Sequence, residues 1–274
     1  MSLKDFVKHI NIYRVINYIY NFPPCLIFIA FRVVFKIFHG KHFRWRLLQF
    51  VITPFIKKTE DGLLFYIRRN GDEITLCEPR YEHIVRNILQ PASEEIVIDI
   101  GAHVGTYAVR LAKKSKLVIA IEPHPSNFEV LKYNVALNKI SNILCINAGI
   151  GRENGYMFLE PRKVYGLTAL RNTGDIVVKV YSLDALVRKL RIEKVDWIKL
   201  DTEGMELDIL HGAKHILEQY NPKLVIEIHE DGKEIIDFLK QLGYLAKGID
   251  ARHILAWKNS KQEPHGLPPS RHIF

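Results

Sequence analysis

Beyond residue 95 the chain alternates short apolar runs with stretches of helical periodicity, and this alternation limits the fold more than any other feature. A strand, a helix and a second strand in succession imply a crossover connection, which produces a parallel sheet. Helices are predicted at residues 106–113, 127–138, 205–217 and 233–242, and strands at residues 96–100, 117–122, 143–148, 197–201 and 224–228. The pattern indicates an α/β fold, in which a Rossmann-like sheet carries helices on both faces.

Further segments flank this alternation. An insert at residues 151–191 contains one predicted strand at 176–181, and residues 244–246 and 253–257 form a closing pair of strands. Ahead of the sheet, two strands at residues 63–68 and 73–77 are predicted to form a hairpin around an Asn-Gly turn, and a helix follows at residues 81–89.

The first 58 residues form a basic and aromatic segment. They hold ten Lys or Arg residues against one acid and 13 of the 29 aromatic residues, whereas the rest of the chain carries 29 bases and 29 acids. The predicted division is an N-terminal helical appendage at residues 1–58, a main domain at 59–262 and a loose tail at 263–274. Interleaved basic and aromatic residues suit a membrane interface, and packing on the main domain, packing on a second subunit and nucleic-acid binding are the alternatives.

The apolar run at residues 24–38 is too short and too charged to span a bilayer, and no cleavage site for a secretory signal follows it. The chain has three cysteines, Cys25, Cys77 and Cys145, which is an odd number, and no two of them form a CxxC pair. Neither a disulfide framework nor a cysteine zinc site is therefore predicted. These features favour a cytoplasmic location, with peripheral binding to the inner face of a membrane as one option. Oligomeric state is left open.

A glycine-rich turn after the first predicted strand indicates a nucleoside site. Gly101 allows the chain to leave the strand sharply, Gly105 allows the next helix to approach the sheet, and Glu122 follows Gly101 by 21 residues, the spacing of a carboxylate that binds ribose hydroxyls. His103 occupies the position where a dinucleotide site needs glycine, so S-adenosylmethionine is the predicted cofactor. The predicted cofactor-binding residues are Asp99, Gly101, Ala102, His103, Gly105, Thr106, Glu122, Pro123, Asn147 and Ala148.

The ordered motifs resemble the FkbM family of S-adenosylmethionine-dependent methyltransferases. The resemblance runs from about residue 81 to 245 and rests on the segments 97–107, 120–125, Asn134 with Asn138, 198–206, 210–213 and 227–229. It implies a class I methyltransferase fold and O-methylation of a hydroxyl on a sugar, glycolipid or related metabolite. The family's usual Asn in the glycine loop is His103 here. The alternatives are an RNA ribose methyltransferase, with nucleic acid the less favoured partner, and a non-catalytic nucleoside-binding protein.

The carboxyl ends of the later strands carry four candidate catalytic residues, Asp201, Glu203, Glu227 and His229. His229 is predicted to be the base that removes the acceptor's proton, because an unperturbed histidine is largely neutral at pH 7. Asp201 is the second candidate, as base or as the carboxylate that orients the acceptor. Asp201, Glu203 and Glu227 are also oxygen ligands suited to a divalent metal, but no spacing is diagnostic and no metal site is predicted.

Overall fold

The computed structural model describes residues 54–68, 73–161, 168–171, 174, 176–229 and 232–258. Most of the predicted N-terminal appendage at 1–58 and the whole predicted tail at 263–274 lie outside the described residues. The account below concerns the unit that contains residues 56–67 and the chain from residue 72 onward. Among the described residues, none of the helices has the length and apolar character needed to cross a membrane.

The described elements follow one another in the order β1 (Phe55–Lys58), β2 (Leu64–Ile67), α1 (Glu73–Leu76), α2 (His83–Ile88), β3 (Ile96–Ile100), α3 (Ala108–Leu111), β4 (Leu117–Ile121), α4 (Pro125–Leu137), β5 (Ile143–Ile146), β6 (Gly149–Gly151), β7 (Gly155–Pro161), β8 (Thr168–Arg171), β9 (Ile176–Ser182), α5 (Leu183–Lys189), β10 (Trp197–Leu200), α6 (Glu206–Gly212), α7 (Lys214–Gln219), β11 (Lys223–Glu227), α8 (Lys233–Gln241), β12 (Leu245–Gly248) and β13 (His253–Trp257).

The central sheet has seven strands in the order β12-β13-β11-β10-β3-β4-β5. Strands β11, β10, β3, β4 and β5 run parallel, while β13 pairs antiparallel with both β11 and β12. The chain starts in the middle of the sheet at β3, winds outward to β5, and returns to the other side of β3 at β10. The gap beyond the ends of β3 and β10 is therefore a topological switch point, where open α/β sheets bind their ligands.

Alternate residues of each central strand pack on opposite faces of the sheet, which explains the nearly continuous apolar runs in the sequence. On one face Ile98 and Ile198 pack in a cluster that contains residues of α5, α6, α7 and α8. On the other face Val97 and Trp197 pack with residues of α2, α3 and α4. The prediction of an α/β sheet with helices on both faces is confirmed.

The lead-in to the sheet corrects one prediction, because residues 73–77 were expected to be a strand and instead contain helix α1. Strand β2 pairs with β1. Its other edge is hydrogen-bonded by two side chains at the C-terminal end of α4: Asn138, the residue after the helix, accepts from the Leu64 N–H at 2.9 Å, and Asn134 accepts from the Tyr66 N–H at 2.8 Å. Both edges of β2 are thus occupied. A strand at residues 73–77 would have no free edge of β2 to pair with, so the predicted hairpin does not form.

In two further segments the observed secondary structure differs from the structure predicted from the sequence. The insert contains strands β7 and β8 as well as the predicted β9, and these three join β6 in a four-stranded sheet. The helix predicted over residues 205–217 is divided into α6 and α7 at Ala213. At the end of α6 a Cβ on Gly212 would lie 2.2 Å from the backbone oxygen of Gly151, so glycine permits α6 to pack directly against β6.

Candidate active site

A cavity of about 390 Å³ opens beyond the carboxyl ends of β3, β10 and β11. Twelve of the fourteen predicted site residues line it: Asp99, Gly101, Ala102, His103, Thr106, Glu122, Pro123, Ala148, Asp201, Glu203, Glu227 and His229. Gly105 and Asn147 do not. A Cβ on Gly105 would lie 2.5 Å from Leu131 of α4, so its role is helix packing. Asn147 donates to the backbone oxygens of Glu122 and Pro123 and so fixes the loop that carries Glu122.

The turn after β3 depends on glycine at position 101. Gly101 has φ +78°, and a Cβ there would lie only 1.8 Å from the backbone oxygen of Asp201. The backbone N–H groups of Gly101 and Ala102 both donate to the Ile121 oxygen at 3.0 Å, which ties the turn to the end of β4. The close approach brings the loops after β3 and β10 together, as the switch-point geometry requires.

Glu122 is the fixed carboxylate of this cavity. Its side chain accepts from the backbone N–H groups of His103 at 2.8 Å and His124 at 2.9 Å, and from the Asn127 amide at 3.4 Å. Burial raises the pKa of Glu122 to about 7, although the two backbone donors favour the ionised form. The carboxylate is thus held rigidly at the cavity wall, where its Oε2 atom, which among the described residues accepts from the His103 N–H alone, keeps an acceptor position for a ligand hydroxyl.

A buried lysine joins two aspartates at the centre of the site. Lys199 of β10 has a side chain only 4% exposed, and its Nζ lies 3.0 Å from Asp201 Oδ2 and 3.8 Å from Asp99 Oδ1. Burial lowers the pKa of Lys199, but the two carboxylates outweigh burial and raise it above its ordinary value. Burial raises the pKa of Asp201, yet Lys199, together with Glu227 and His229, more than compensates and holds it at about 2. Lys199 and Asp201 are therefore both charged at neutral pH.

His229 lies among three carboxylates. Its Nδ1 is 3.3 Å from Glu206 Oε1, and its Nε2 is 3.7 Å from Glu203 and 4.0 Å from Glu227. The hydrogen bond to Glu206 is the largest of the effects that raise the pKa of His229 to about 9. The expectation that His229 is largely neutral at pH 7 is therefore wrong for this structure, because the carboxylates that surround it favour the protonated ring.

Glu227 connects His229 to a second group of polar side chains. Burial, and then the nearby Asp201 carboxylate, raise the pKa of Glu227 to about 8. Arg252 contacts the same side chain, with Nη1 2.7 Å from Glu227 Oε1, and its Nη2 lies 3.9 Å from Glu82. Glu82 in turn accepts a 2.7 Å hydrogen bond from the Tyr107 hydroxyl. Glu227 thus lies between the exposed guanidinium group of Arg252 on one side and Asp201 and His229 on the other.

Several cavity residues were not predicted, namely Tyr81, Glu82, Tyr107, Lys199 and Arg252. For Lys199 the sequence does contain a signal. A lysine in the middle of the apolar run Trp-Ile-Lys-Leu requires a buried partner, and β10 pairs with β3 so that Lys199 lies directly beside Asp99. Glu82 directly precedes α2 and Arg252 directly precedes β13, about 170 residues later in the chain. Only the fold brings these two side chains together.

These contacts define what the cavity can hold. One wall offers a rigid carboxylate for a diol together with Asp99, whose fully buried oxygens have no hydrogen-bond partner among the described residues. The other wall offers the ionised Asp201 beside Glu227 and His229, whose pKa values of about 8 and 9 allow these two side chains to exchange protons just above neutral pH. A nucleoside that carries a positive charge fits the first wall, and a hydroxyl that must lose a proton fits the second.

Known proteins that are similar to this chain include several methyltransferases. A hexuronic acid methyltransferase, AglP of Haloferax volcanii, is 28% identical over 165 residues, which are 58% of this chain and 68% of that protein. The tRNA (guanine(37)-N(1))-methyltransferase of Saccharomyces cerevisiae matches over 61 residues at 38% identity, covering 22% of this chain and 12% of its own length.

A solved FkbM methyltransferase from Methylobacillus flagellatus aligns at 21% identity with a TM-score of 0.46, over 62% of this chain and 45% of that one. This chain therefore spans less than half of the solved protein. The sequence profile described as the methyltransferase FkbM domain matches residues 99–246, more than half of the chain. The residues that it covers include the Gly101 turn, Glu122, Lys199, Asp201 and His229. This chain belongs to the FkbM methyltransferase family.

Proposed function

We propose that this protein transfers the methyl group of S-adenosylmethionine to a hydroxyl group of a sugar. The observation that carries the proposal is that Glu122 and the Gly101 turn line the same cavity as Asp201, Glu227 and His229. The first set suits an adenine nucleoside, and the second suits an acceptor that loses a proton during the reaction.

Glu122 is the residue expected to bind the cofactor's ribose, because one carboxylate can accept from both hydroxyl groups. Asp99 supports the same assignment: it is fully buried beside Lys199, and a cationic ligand would be favoured next to its oxygens. When bound, S-adenosylmethionine supplies a methyl group already activated by the adjacent sulfonium. The protein's own contribution is to orient the acceptor and receive its proton.

The proton acceptor in this proposal is the cluster formed by Asp201, Glu227 and His229, whose ligand atoms lie within 4.8 Å of one another. Coupled groups titrate together, so the cluster as a unit takes up the proton. His229 is the proposed entry point, because a proton taken up by its ring is stabilised by the carboxylates of Glu203, Glu206 and Glu227. Asp201, held ionised by Lys199, orients the hydroxyl. Glu203 lies 3.7 Å from His229 and supports the charge on the ring.

An acidic sugar is the proposed acceptor. AglP is a hexuronic acid methyltransferase, and in this chain Arg252 lines the cavity with a side chain that is 57% exposed. A guanidinium group binds a carboxylate through two parallel hydrogen bonds, and the exposed position leaves donors available beside its contact with Glu227. Arg252 is therefore the residue expected to select an acceptor that carries a carboxylate.

Methyl transfer from ¹³C-methyl-labelled S-adenosylmethionine tests this function, with glucuronic acid glycosides and the matching glucose glycosides as acceptors. The proposal predicts an O-methyl signal on the uronic acid and a lower kcat/KM for glucose, with most of the difference lost in Arg252→Ala. A tRNA transcript serves as the rival acceptor. Methylation of RNA with none of either sugar would contradict the proposal and favour the ribose methyltransferase alternative.

The basic, aromatic segment at residues 1–58 is proposed to bind an anionic membrane surface, where a lipid-linked acceptor would be found. The support is its sequence, with ten bases, one acid and 13 aromatic residues. Flotation with vesicles that contain anionic lipid, across a salt series, tests it. Partial binding that survives high salt is expected, since aromatic burial is insensitive to screening; complete loss with retained RNA binding at low salt would contradict it.

A further inference from the structure

Beside the proposed catalytic cluster, three side chains form a second group with the composition of a metal site. A ring nitrogen of His253 and carboxylate oxygens of Glu82 and Glu227 lie within 4.8 Å of one another. The side chains of these residues are 3%, 9% and 7% exposed. They come from three separate parts of the fold: the residue before α2, the end of β11 and the start of β13. The group is a built feature of the interior and not a solvated acidic patch.

His253 supplies an independent indication of a ligand. Its Nδ1 lies 2.9 Å from Asp250 Oδ1 and 3.0 Å from Oδ2, and this carboxylate also accepts the backbone N–H groups of Arg252 and His253. Asp250 therefore fixes the ring. The other nitrogen, Nε2, is buried and has no hydrogen-bond partner among the described residues. A carboxylate on one ring nitrogen with the other left open is the usual arrangement around a metal-binding histidine.

We propose that Glu82, Glu227 and His253 bind a divalent transition-metal cation, with Asp250 as the positioning residue behind His253. One imidazole and two carboxylates suit Mn²⁺ or Zn²⁺ better than Mg²⁺, which prefers oxygen ligands alone. Ligand atoms that share one ion at about 2.1 Å lie about 3–4 Å apart, so a small contraction of the present arrangement is sufficient. Three protein ligands leave positions open toward the cavity that Glu82 and Glu227 line.

The neighbouring cluster of Asp201, Glu227 and His229 is the weaker candidate for the ion. Lys199 lies 3.0 Å from Asp201 and is buried, so its positive charge cannot leave when a cation approaches. The cation next to the proposed site is Arg252, 2.7 Å from Glu227, and its side chain is 57% exposed. The Arg252 side chain can rotate into solvent, which leaves the Glu227 carboxylate available to bind a metal ion. The two sites therefore differ in whether the local counter-charge can be displaced.

Manganese binding to the full chain, stripped with a chelator and free of S-adenosylmethionine, tests this proposal. Electron paramagnetic resonance should show one bound Mn²⁺ per chain, with the spin-echo modulation of one imidazole nitrogen. His253→Gln should remove the nitrogen signal and weaken binding more than 10-fold, and Asp250→Asn should weaken it about 10- to 100-fold. The matched control His229→Gln removes the other candidate histidine; it should keep the nitrogen signal and should not weaken binding, since it removes a positive charge 4.0 Å from Glu227.

Arg252→Ala provides a result that misfolding cannot imitate, because removal of the competing guanidinium should tighten Mn²⁺ binding. Wild-type protein that binds no Mn²⁺ below millimolar concentration would overturn the proposal. So would a nitrogen signal that persists in His253→Gln and disappears in His229→Gln, which would assign the ion to the other cluster. Neither outcome depends on methyl transfer, so a failure here is distinguishable from a failure of the proposed function.

Discussion

At the scale of single residues, the site depends on a buried positive charge. Lys199 balances Asp99, which is fully buried, and Asp201. Lys199→Met keeps the length of the side chain but leaves two carboxylates without their cation, and loss of one partner of a buried ion pair costs about 3–5 kcal/mol. We expect the free energy of unfolding, measured by urea titration at pH 7, to fall by about that amount.

Lys194→Met is the matched control for Lys199. Lys194 also pairs with an aspartate, with Nζ 3.0 Å from Asp196, but its side chain is 56% exposed. Asp196 is itself only 5% exposed, but it also accepts from the Ile96 N–H, and the exposed lysine stays hydrated within the pair, so this variant should lose less stability than Lys199→Met. Equal losses of stability in the two variants would show that Lys199 has no special role as a counter-charge.

The pH dependence of the reaction follows from the groups around His229. The pKa of His229 is raised to about 9 and that of Glu227 to about 8, so the cluster releases its protons as the pH rises through this range. Because the cluster must be deprotonated to accept a proton, kcat/KM should increase from pH 6 to pH 9. In His229→Gln the rate should fall about 100- to 10,000-fold. The alkaline increase should also shrink, and an unchanged profile with an unchanged rate would remove His229 from the mechanism.

The raised pKa of His229 makes stability fall with increasing pH, whereas the reaction rate is expected to rise. The folded state holds the proton on His229 more tightly than the unfolded chain does, because the folded pKa of about 9 exceeds the ordinary histidine pKa of 6.5. Its stabilising contribution is complete below pH 6.5 and disappears as the pH rises through 9. The difference in unfolding free energy between wild type and His229→Gln should therefore narrow across this window, which thermal or urea unfolding at several pH values can measure.

The protonation of His229 could not be read from the sequence. Its three carboxylate neighbours, Glu203, Glu206 and Glu227, come from the loop after β10, the first turn of α6 and the end of β11. Their identity is visible in the sequence, but their distances from the ring are set by the fold. Glu122 was predictable, in contrast, because the glycine turn and the following strand fix its position locally.

At the scale of elements, the inner strands β3, β4, β10 and β11 were predictable because they are buried on both faces and therefore read as nearly continuous apolar runs. The prediction of a strand at residues 73–77 was wrong for a reason outside that segment's own sequence, since Asn134 of α4 and Asn138, which caps that helix, occupy the edge of β2. The close packing of Gly212 on β6, next to the point at which α6 ends and α7 begins, was likewise not predictable. Local periodicity carries no information about such contacts.

The turn after β3 gives a prediction with a control of nearly equal backbone geometry. Gly101 and Gly243 have φ of +78° and +79°, but a Cβ on Gly101 meets the Asp201 oxygen at 1.8 Å, whereas Gly243 has open space. Alanine in this conformation costs about 1–2 kcal/mol at either position. Gly101→Ala should lose more than that, because the loops after β3 and β10 must separate, and should lose affinity for S-adenosylmethionine in calorimetry. Equal effects of the two substitutions on unfolding and binding would contradict this role of the turn.

At the scale of the whole molecule, the sheet order brings the cofactor wall and the catalytic wall to one switch point. β3 and β4 supply Gly101 and Glu122, while β10 and β11 supply Asp201 and Glu227. Neither half alone forms the cavity. The central claim is that this composite cavity binds S-adenosylmethionine through Glu122.

Calorimetric titration of the full chain with S-adenosylmethionine tests that claim most directly. The account predicts one site per chain, with affinity weakened about 10- to 100-fold in Glu122→Gln, because a charge-assisted hydrogen bond is worth about 1.5–3 kcal/mol. Glu129→Gln, on the exposed side of α4, should bind as the wild type does. Absence of binding by the wild type, or equal affinity in the wild type and Glu122→Gln, would contradict the account.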